Sequence, residues 1–423
     1  MREGGLARRA MSDDPVVIVN KAIDLLNLSR YEEAITTLET LKYWFPTAQI
    51  YLASAYTGLF QHDKAKGLLA QFTADTEIPL ENLVEAAMCS LRLGDFQHAI
   101  PILEKTLASV RPEVGAGFAL AAYFLADQKP EEALRVIQQI REAFPDSIMA
   151  KKYSNELEIS AKLMLNEEIQ FTKDAMIPKH FLSTVLWRWQ QIFDSCNELQ
   201  ETLPIFVIGD SHVQIFSGTL VQLPQLLEPM PRLLPWFAPI HIGPILAWGF
   251  GKADRRTRGY ERLNWLITEK IIPPGSRIML SAGEIDIRVH VREQIERQQV
   301  SKFQVIDQIV SSLITVGCDL LDKGFKVMFW APIGAGKPMD FGNSMPDPNG
   351  DMILRNEYTR IFVERMRELA EPLGMPVLAI FDEMVDEENK SDLRLLCDGL
   401  HLGLWSLPVI QTVFRKRFGV TPE

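Results

Sequence analysis

The hydrophobic and polar positions of residues 14–165 follow a helical pattern that repeats along the chain. Apolar residues recur at spacings of three and four over stretches of about a dozen residues. In the first pair of stretches these residues include Leu25, Leu26, Ala34, Ile35 and Leu38. A helical hairpin of this kind cannot bury its apolar face alone, so we expect neighbouring hairpins to stack. The pattern predicts an all-α superhelical array that ends in a capping helix.

Two sets of residues give the period of this array. The first set, spaced by 33 residues, is Pro46, Pro79, Pro112 and Pro145. The second set, spaced by 31, 34 and 34 residues, is Ala34, Ala65, Ala99 and Ala133. The period, the small residue where two helices pack and the proline after each hairpin resemble the tetratricopeptide repeat. This resemblance implies a concave groove that binds a protein or peptide partner. The alternative is that the helices only support the neighbouring domain or hold a dimer together.

A different pattern begins at residue 203. Short apolar runs at 204–208, 277–280, 326–330 and 376–381 alternate with amphipathic helical stretches. The uncharged run 233–251 is interrupted by several prolines and glycines, which favours buried strand and loop over a membrane span. Alternating runs and helices predict an α/β domain with a mostly parallel sheet. The predicted domains are therefore a helical array at 14–165, a helical connector at 166–202 and an α/β domain at 203–423.

Composition excludes several classes of partner. The chain carries a net charge of −11, which disfavours binding to nucleic acid. The four cysteines form no CxxC pair, and the histidines and cysteines show no spacing typical of a metal site. We therefore expect a cytoplasmic protein without a metal or another cofactor, and without a membrane span.

A candidate nucleophile follows the first predicted strand of the α/β domain. The chain reads Gly-Asp-Ser-His at 209–212, which places the hydroxyl of Ser211 at the carboxyl end of a strand, where open α/β sheets bind ligands. A helix from about Val213 would direct free backbone N–H groups towards an oxyanion formed at Ser211. A serine in this position is also a common helix cap.

A candidate acid and base lie near the end of the chain, in Asp-Gly-Leu-His at 398–401. A spacing of three lets the carboxylate of Asp398 meet the imidazole of His401, which could then accept the proton of Ser211. The alternative is a capping aspartate beside a surface histidine.

These words, with a G-x-x-D block between them, resemble the SGNH/GDSL hydrolase superfamily. The resemblance implies a flavodoxin-like α/β/α sandwich that hydrolyses esters, including acetyl esters of carbohydrates. It assigns Ser211 as nucleophile, Asp398 as acid and His401 as base. It also suggests that the amide of Gly243, in the word HIGP, contributes to the oxyanion hole.

The G-x-x-D block departs from the family pattern, because Ile285 stands where the family has an asparagine. Its side chain cannot donate a hydrogen bond, and one missing oxyanion donor costs about 3 kcal/mol of transition-state stabilisation. The block also resembles a GEID-x-R-x-H variant, which implies that a set of residues lines the pocket. This set is Gly283, Glu284, Asp286, Arg288 and His290. Arg288 could replace the missing donor or hold an anionic substrate. The alternative is a structural ion network of Glu284 and Asp286 with Arg288 or Arg292.

The sequence thus leads to two hypotheses of function. The first is an esterase, deacylase or acyltransferase that acts on a small-molecule or glycan ester, with a helical array that binds a protein partner. The second is a catalytically weak or inactive SGNH-like module within an interaction protein, and Ile285 favours this second hypothesis.

Overall fold

The structure is a computed structural model that describes most of the chain. The described residues are 14–27, 30–109, 113–165, 167, 169–171, 175–177, 181–200, 203–218, 234–252, 257–336, 350–397 and 399–421. They form two compact units. The first unit comprises described residues up to 155 apart from 125–130, and the second comprises 125–130 and the described residues from 156 onward.

The described residues up to 165 form a series of helices joined by short turns. The helices are α1 (Pro15–Asn27), α2 (Tyr31–Leu38), α3 (Pro46–Gly58), α4 (His62–Leu69), α5 (Leu80–Arg92), α6 (Phe96–Leu107), α7 (Val114–Ala126), α8 (Pro130–Ala143) and α9 (Ile148–Met164). Within the first unit, helices that follow one another in the chain pack as antiparallel neighbours, for example α1 with α2 and α5 with α6. The predicted helical array is therefore confirmed.

The period seen in the sequence is also the period of the helices. The odd-numbered helices begin at residues 15, 46, 80, 114 and 148, so successive starts are 31, 34, 34 and 34 residues apart. The alanine of each repeat lies on an even-numbered helix and is fully buried, as at Ala65 and Ala99. Pro46 occupies the first turn of α3 and Pro79 caps α5, so these prolines open the next hairpin. Pro112 lies outside the described residues.

The second unit combines strands and helices. Its elements after α9 are β1 (Ile169–Phe171), β2 (Ala175–Ile177), α10 (Phe181–Ser195), β3 (Ile205–Gly209), β4 (Phe237–His241), α11 (Gly259–Thr268), β5 (Arg277–Ser281), α12 (Val291–Gln298), α13 (Lys302–Asp322), β6 (Lys326–Trp330), α14 (Met352–Ala370), β7 (Val377–Leu378), α15 (Phe381–Met384) and α16 (Leu407–Phe418). Strands β1 and β2 pair antiparallel in a small hairpin. The other five strands form one sheet.

This sheet is parallel throughout, in the order β4-β3-β5-β6-β7. The prediction of a mostly parallel sheet is therefore confirmed, and β4 lies inside the uncharged run 233–251. The chain passes from β3 to β4 on one side and then to β5 on the other, so the strand order reverses at β3. In open α/β sheets, ligands bind outside the carboxyl ends of the strands at this point of reversal.

The strands divide their side chains between two hydrophobic cores, as the two-residue period of a strand requires. Ile278 and Leu280 of β5 pack into a core that includes residues of α11, α13 and α14. Met279, between them, packs into a core that includes residues of α10 and α16. Trp189 of α10, within the predicted connector, is fully buried in this second core, whereas Trp187 is exposed.

Helix α13 is the one helix in the described ranges that is long and apolar enough to cross a membrane, judged by length and composition. Its Val305, Ile309 and Leu313 are fully buried in the core on one face of the sheet. Packing against the sheet therefore explains why this helix is so apolar.

Candidate active site

The end of β3 places Ser211 beside the neighbouring strand β5. Gly209 pairs with Ser281, and a Cβ at position 209 would overlap the carbonyl oxygen of Ser281. Only glycine therefore lets the two strands end so close together. After Gly209 the carboxylate of Asp210 accepts a hydrogen bond from the His212 N–H at 3.0 Å and caps a short 3-10 helix, Ser211–Ser217.

His401 lies directly against Ser211, although 190 residues separate them in the chain. The distance from Ser211 Oγ to His401 Nε2 is 2.7 Å, within the range of a strong hydrogen bond. A bridge between Leu396 and Leu402 closes the loop that holds His401, and the Cys397 N–H donates to the His401 carbonyl at 2.9 Å. His401 itself is buried. A hydroxyl within reach of an imidazole nitrogen is the geometry that general-base activation of a nucleophile requires.

The loop that carries His401 turns sharply just before it. Gly399 adopts a φ of +74°, in the left-handed region that favours glycine. Asp398 stands immediately before this glycine but lies outside the described residues. Its role as the acid that orients His401 therefore stays a prediction.

The backbone at Ser211 differs from the predicted helix with free N–H groups. The helix is of the 3-10 type and begins at Ser211 rather than near Val213. The His212 N–H is bound by the Asp210 carboxylate, and the Val213 N–H by the Asp210 carbonyl at 3.2 Å. An aspartate that caps its own turn takes up these donors, which is why the prediction was wrong at this point. No hydrogen bond among the described residues uses the Ser211 N–H.

Gly243 lies at the same edge of the sheet, two residues beyond the end of β4. Strand β4 pairs with β3 so that His241 stands beside Gly209, and the Ile242 N–H donates to the Gly209 carbonyl at 3.0 Å. Gly243 has a φ of +89°, so glycine is required by the backbone there. Its role in the oxyanion hole stays a prediction.

Three ionisable side chains form a compact group next to Ser211. Glu284 accepts a hydrogen bond from Arg288 Nε at 2.8 Å, and its other oxygen lies 3.6 Å from His212 Nε2. Burial raises the pKa of Glu284, but His212 and Arg288 more than offset it and lower this pKa to about 2. The His212 ring centroid lies 5.0 Å from that of His401. Glu284 is therefore an anion that is paired with Arg288 and lies close to the His212 ring.

The carboxylates around His212 also act on its own titration. Burial alone would lower the pKa of His212, but the carboxyl groups of Asp210 and Glu284 more than offset it, so the pKa is raised. Burial in turn raises the pKa of Asp210. These two carboxyl groups therefore favour the protonated form of His212, whose ring lies beside that of His401.

Asp286 has backbone partners rather than an ion pair. It is fully buried, and its two oxygens accept hydrogen bonds from the Ala247 N–H at 2.7 Å and the Trp248 N–H at 3.2 Å. Burial raises the pKa of Asp286 to about 7, although the two backbone donors lower it. Asp286 thus fastens the segment after β4 to the turn after β5. Of the predicted ion network, the structure contains the Glu284–Arg288 pair.

The first and the last residue of the GEID-x-R-x-H motif, Gly283 and His290, have separate positions. Gly283 has a φ of +112°, and a Cβ there would lie 2.6 Å from the Phe362 ring, so the turn into Glu284 requires glycine. His290 lies seven residues further along the chain and is half-exposed. Its Nδ1 lies 3.5 Å from a carboxylate oxygen of Glu293. The structure therefore brings Glu284 and Arg288 towards the site and gives His290 a partner on α12.

Two open clefts lie beside these residues and share Glu284, Pro332 and Ile333 in their walls. The smaller cleft, of about 200 Å³ when the solvent at its mouth is included, is lined by Asp210, His212 and Trp330 among others. The larger cleft, of about 290 Å³ on the same basis, is lined by Arg288, Arg355, Thr359 and Leu400 among others. Arg355 could not be singled out from the sequence, because one arginine on an amphipathic helix with several arginines carries no distinguishing pattern.

Several buried polar atoms of residues that line the smaller cleft form no hydrogen bond among the described residues. These buried atoms are Asp210 Oδ2, both ring nitrogens of His212 and Trp330 Nε1. Buried polar atoms in proteins nearly always have hydrogen-bond partners, from the protein, from water or from a ligand. The cleft therefore suits a molecule that carries both hydrogen-bond donors and acceptors.

The described site holds a serine hydroxyl against an imidazole, at the point where the strand order reverses and next to a polar cleft. This arrangement is chemically suited to nucleophilic attack by Ser211 with His401 as base. Comparison with protein-family models and with curated protein sequences found no match to the chain.

Proposed function

We propose that the second unit is an SGNH-type serine hydrolase that cleaves or transfers an acyl ester of a carbohydrate or a similar polar alcohol. The observation that carries the proposal is the 2.7 Å distance from Ser211 Oγ to His401 Nε2. The two residues are far apart in the chain, and each lies in a short sequence that resembles a motif of the SGNH/GDSL superfamily. Their contact supports both motifs at once.

In this proposal His401 accepts the proton of Ser211 while the serine oxygen attacks the acyl carbonyl. The resulting tetrahedral intermediate carries the negative charge on the former carbonyl oxygen. His401 then gives the proton to the leaving alcohol, and water or a second alcohol releases the acyl group from Ser211. Asp398 has the role of the orienting acid, as the family resemblance implies.

The topology of the sheet supports the same proposal. Counted from β3, the strand order is 2-1-3-4-5, which is the order of flavodoxin-like doubly wound folds. Ser211 follows the first strand in this count, and Glu284 follows the third. Both therefore lie where such sheets bind their ligands.

The oxyanion donors are the weaker part of the proposed site. We assign this role to the N–H groups of Ser211 and Gly243, because Ile285 has no donor in its side chain. The loss of one donor lowers kcat by about 100- to 1,000-fold in well-studied hydrolases. The second candidate function follows from the same observation: an SGNH-like module with little or no turnover, which acts through binding.

The helical array supports a partner-binding role for the first unit. Its 34-residue period and its buried alanines resemble those of the tetratricopeptide repeat, and we propose that it binds a protein or peptide. All four cysteines are free, which is consistent with work in a reducing compartment such as the cytoplasm.

A fluorophosphonate probe, which labels activated serines, tests the catalytic proposal. We expect wild-type protein to be labelled, Ser211→Ala to lose the label, and Ser217→Ala to keep it. Ser217 is a suitable control because it lies on the same 3-10 helix and its hydroxyl bonds to the Gln214 carbonyl. Equal labelling of wild type and Ser211→Ala would contradict the proposal.

Turnover separates the two candidate functions. Hydrolysis of p-nitrophenyl acetate that depends on both Ser211 and His401 supports the esterase. A folded protein without turnover, which still binds a sugar ligand, supports the binding module.

A further inference from the structure

The larger cleft next to His401 has a surplus of positive charge. Its walls contain two guanidinium groups, Arg288 and Arg355, and one carboxylate, Glu284. Glu284 is already paired with Arg288 at 2.8 Å and lies 3.6 Å from His212. Its charge is therefore largely compensated before Arg355 is considered.

Arg355 itself is a buried cation without an anionic partner. It is 3% exposed, and its guanidinium donates to the carbonyl oxygens of Gly336 at 2.6 Å and Asp351 at 3.4 Å. Among the described residues, no carboxylate forms an ion pair with it. Arginine is rarely so deeply buried unless its charge is paired. Carbonyl oxygens satisfy two of its five N–H donors, and the carboxylates of Glu284 and Asp351 act on its charge without forming a hydrogen bond to it.

The position of this cation relates it to the reacting groups. Leu400, which directly precedes His401, lines the same cleft as Arg355. A ligand group held by Arg355 would therefore lie next to the loop that carries the base. The whole chain has a net charge of −11, so any attraction for anions must come from this local arrangement.

We propose that the larger cleft is a subsite for an anionic group of the ligand, held by Arg355 with support from Arg288. A guanidinium matches the two oxygens of a carboxylate or a phosphate, so the ligand class is an acidic sugar or a similar acidic alcohol. That this ligand is also a substrate rests on the proposed esterase function. The anion subsite itself rests on the charges and burial of the cleft.

Binding to the full-length Ser211→Ala protein tests the subsite without any turnover. Calorimetric titration compares D-glucuronate and D-glucose 6-phosphate with the neutral D-glucose. We expect the acids to bind at least about tenfold more tightly, because a charge-assisted contact contributes a factor of about 10 to 100. The preferred acid distinguishes a carboxylate subsite from a phosphate subsite. Equal affinity for all three sugars, or binding of none, overturns the inference.

Three further variants in the same background assign the preference to the cleft. Arg355→Gln is expected to abolish the preference for acids, whereas Arg360→Gln keeps it, since Arg360 lies on the same helix but bonds to Asn389. Glu284→Gln removes the one carboxylate of the cleft and is expected to tighten the binding of acids. This gain cannot result from misfolding, so it tests the inference even where Arg355→Gln is unstable. Retained preference in folded Arg355→Gln, or weaker acid binding by Glu284→Gln, overturns it.

The two proposals can fail separately. In one case acids bind in a way that depends on Arg355, but the wild-type protein shows no ester turnover and no probe labelling. This result would support the anion subsite and contradict the esterase proposal. Turnover that depends on Ser211, with equal affinity for acidic and neutral sugars, would do the reverse.

Discussion

Replacement of Asp286 by asparagine is expected to lower the stability of the protein at acidic pH, but to leave it unchanged or raise it at alkaline pH. The pKa of Asp286 is raised from 3.8 to about 7 in the folded chain, chiefly by burial. Between these two values the folded protein holds a proton that the unfolded chain releases. The free energy of unfolding therefore falls as pH rises from about 4 to about 7, by about 4 kcal/mol from this group. Above about pH 7 both states are ionised, and this contribution is constant.

The asparagine variant lacks this dependence, since its side chain does not titrate. Its amide oxygen can accept from only one of the two N–H groups of Ala247 and Trp248, and the unsatisfied donor costs about 1–3 kcal/mol. At about pH 4 we expect Asp286→Asn to be less stable than wild type by this amount. At about pH 8 the variant no longer bears the cost of a buried charge, so it should be as stable as wild type or more stable.

Urea unfolding followed by tryptophan fluorescence measures this difference. Seven of the eight tryptophans lie at or beyond residue 187, so the signal reports mainly on the second unit. Asp322→Asn, at an exposed position on α13, is the matched control and should follow the wild-type pH profile. If wild type and Asp286→Asn lose stability in parallel between about pH 4 and about pH 8, Asp286 does not change its protonation on folding and the reasoning is refuted.

Three other substitutions have expected outcomes of different kinds. Glu284→Gln should destabilise the protein at neutral pH, because the pKa of Glu284 is lowered to about 2 in the folded state. The ionised Glu284 contributes about 3 kcal/mol to the free energy of unfolding above about pH 4.5, and this contribution is lost as pH falls towards 2. The stabilities of the two proteins, measured in an acid titration, should therefore converge at low pH. Gly209→Ala places a Cβ against the Ser281 carbonyl. We expect the free energy of unfolding in urea to fall by about 1–3 kcal/mol and the fluorophosphonate labelling of Ser211 to weaken. Unchanged stability and labelling would show that the strand ends can separate freely. Ala99→Leu overfills a helix contact in the first unit and should lower its thermal midpoint, whereas Gln138→Leu at an exposed position should not.

The helical array could be predicted well because its signal is local. Small residues such as Ala65 and Ala99 must stand where two helices approach closely, and they recur with the period of the helices themselves. The parallel sheet left a similar local signal in its short apolar runs. Such patterns depend on neighbours three or four residues away on a helix, or two away on a strand, so they can be read from one sequence.

The partners of the polar residues could not be predicted in the same way. Asp286 bonds to backbone groups 38 and 39 residues away, and the sequence offered only nearby arginines as its partners. The 3-10 turn at Ser211 depends on a cap by Asp210 that competes with a regular helix. Arg355 reaches the cleft because α14 packs on the sheet, which no local pattern indicates. In each case the decisive contact is set by tertiary packing.

The two proposals are connected through the energetics of the site. Ser211 Oγ lies 2.7 Å from the proposed base His401, but Ile285 offers no side-chain donor and the Asp210 cap occupies the N–H of His212. A site with few oxyanion donors must obtain more of its rate from the orientation of the bound ester. Binding energy from a group remote from the reacting bond can supply that orientation, and then it appears in kcat as well as in KM. An anionic group held by Arg355 would act in this way, so the benefit of an acidic substrate should be greatest in kcat/KM and smaller in affinity alone.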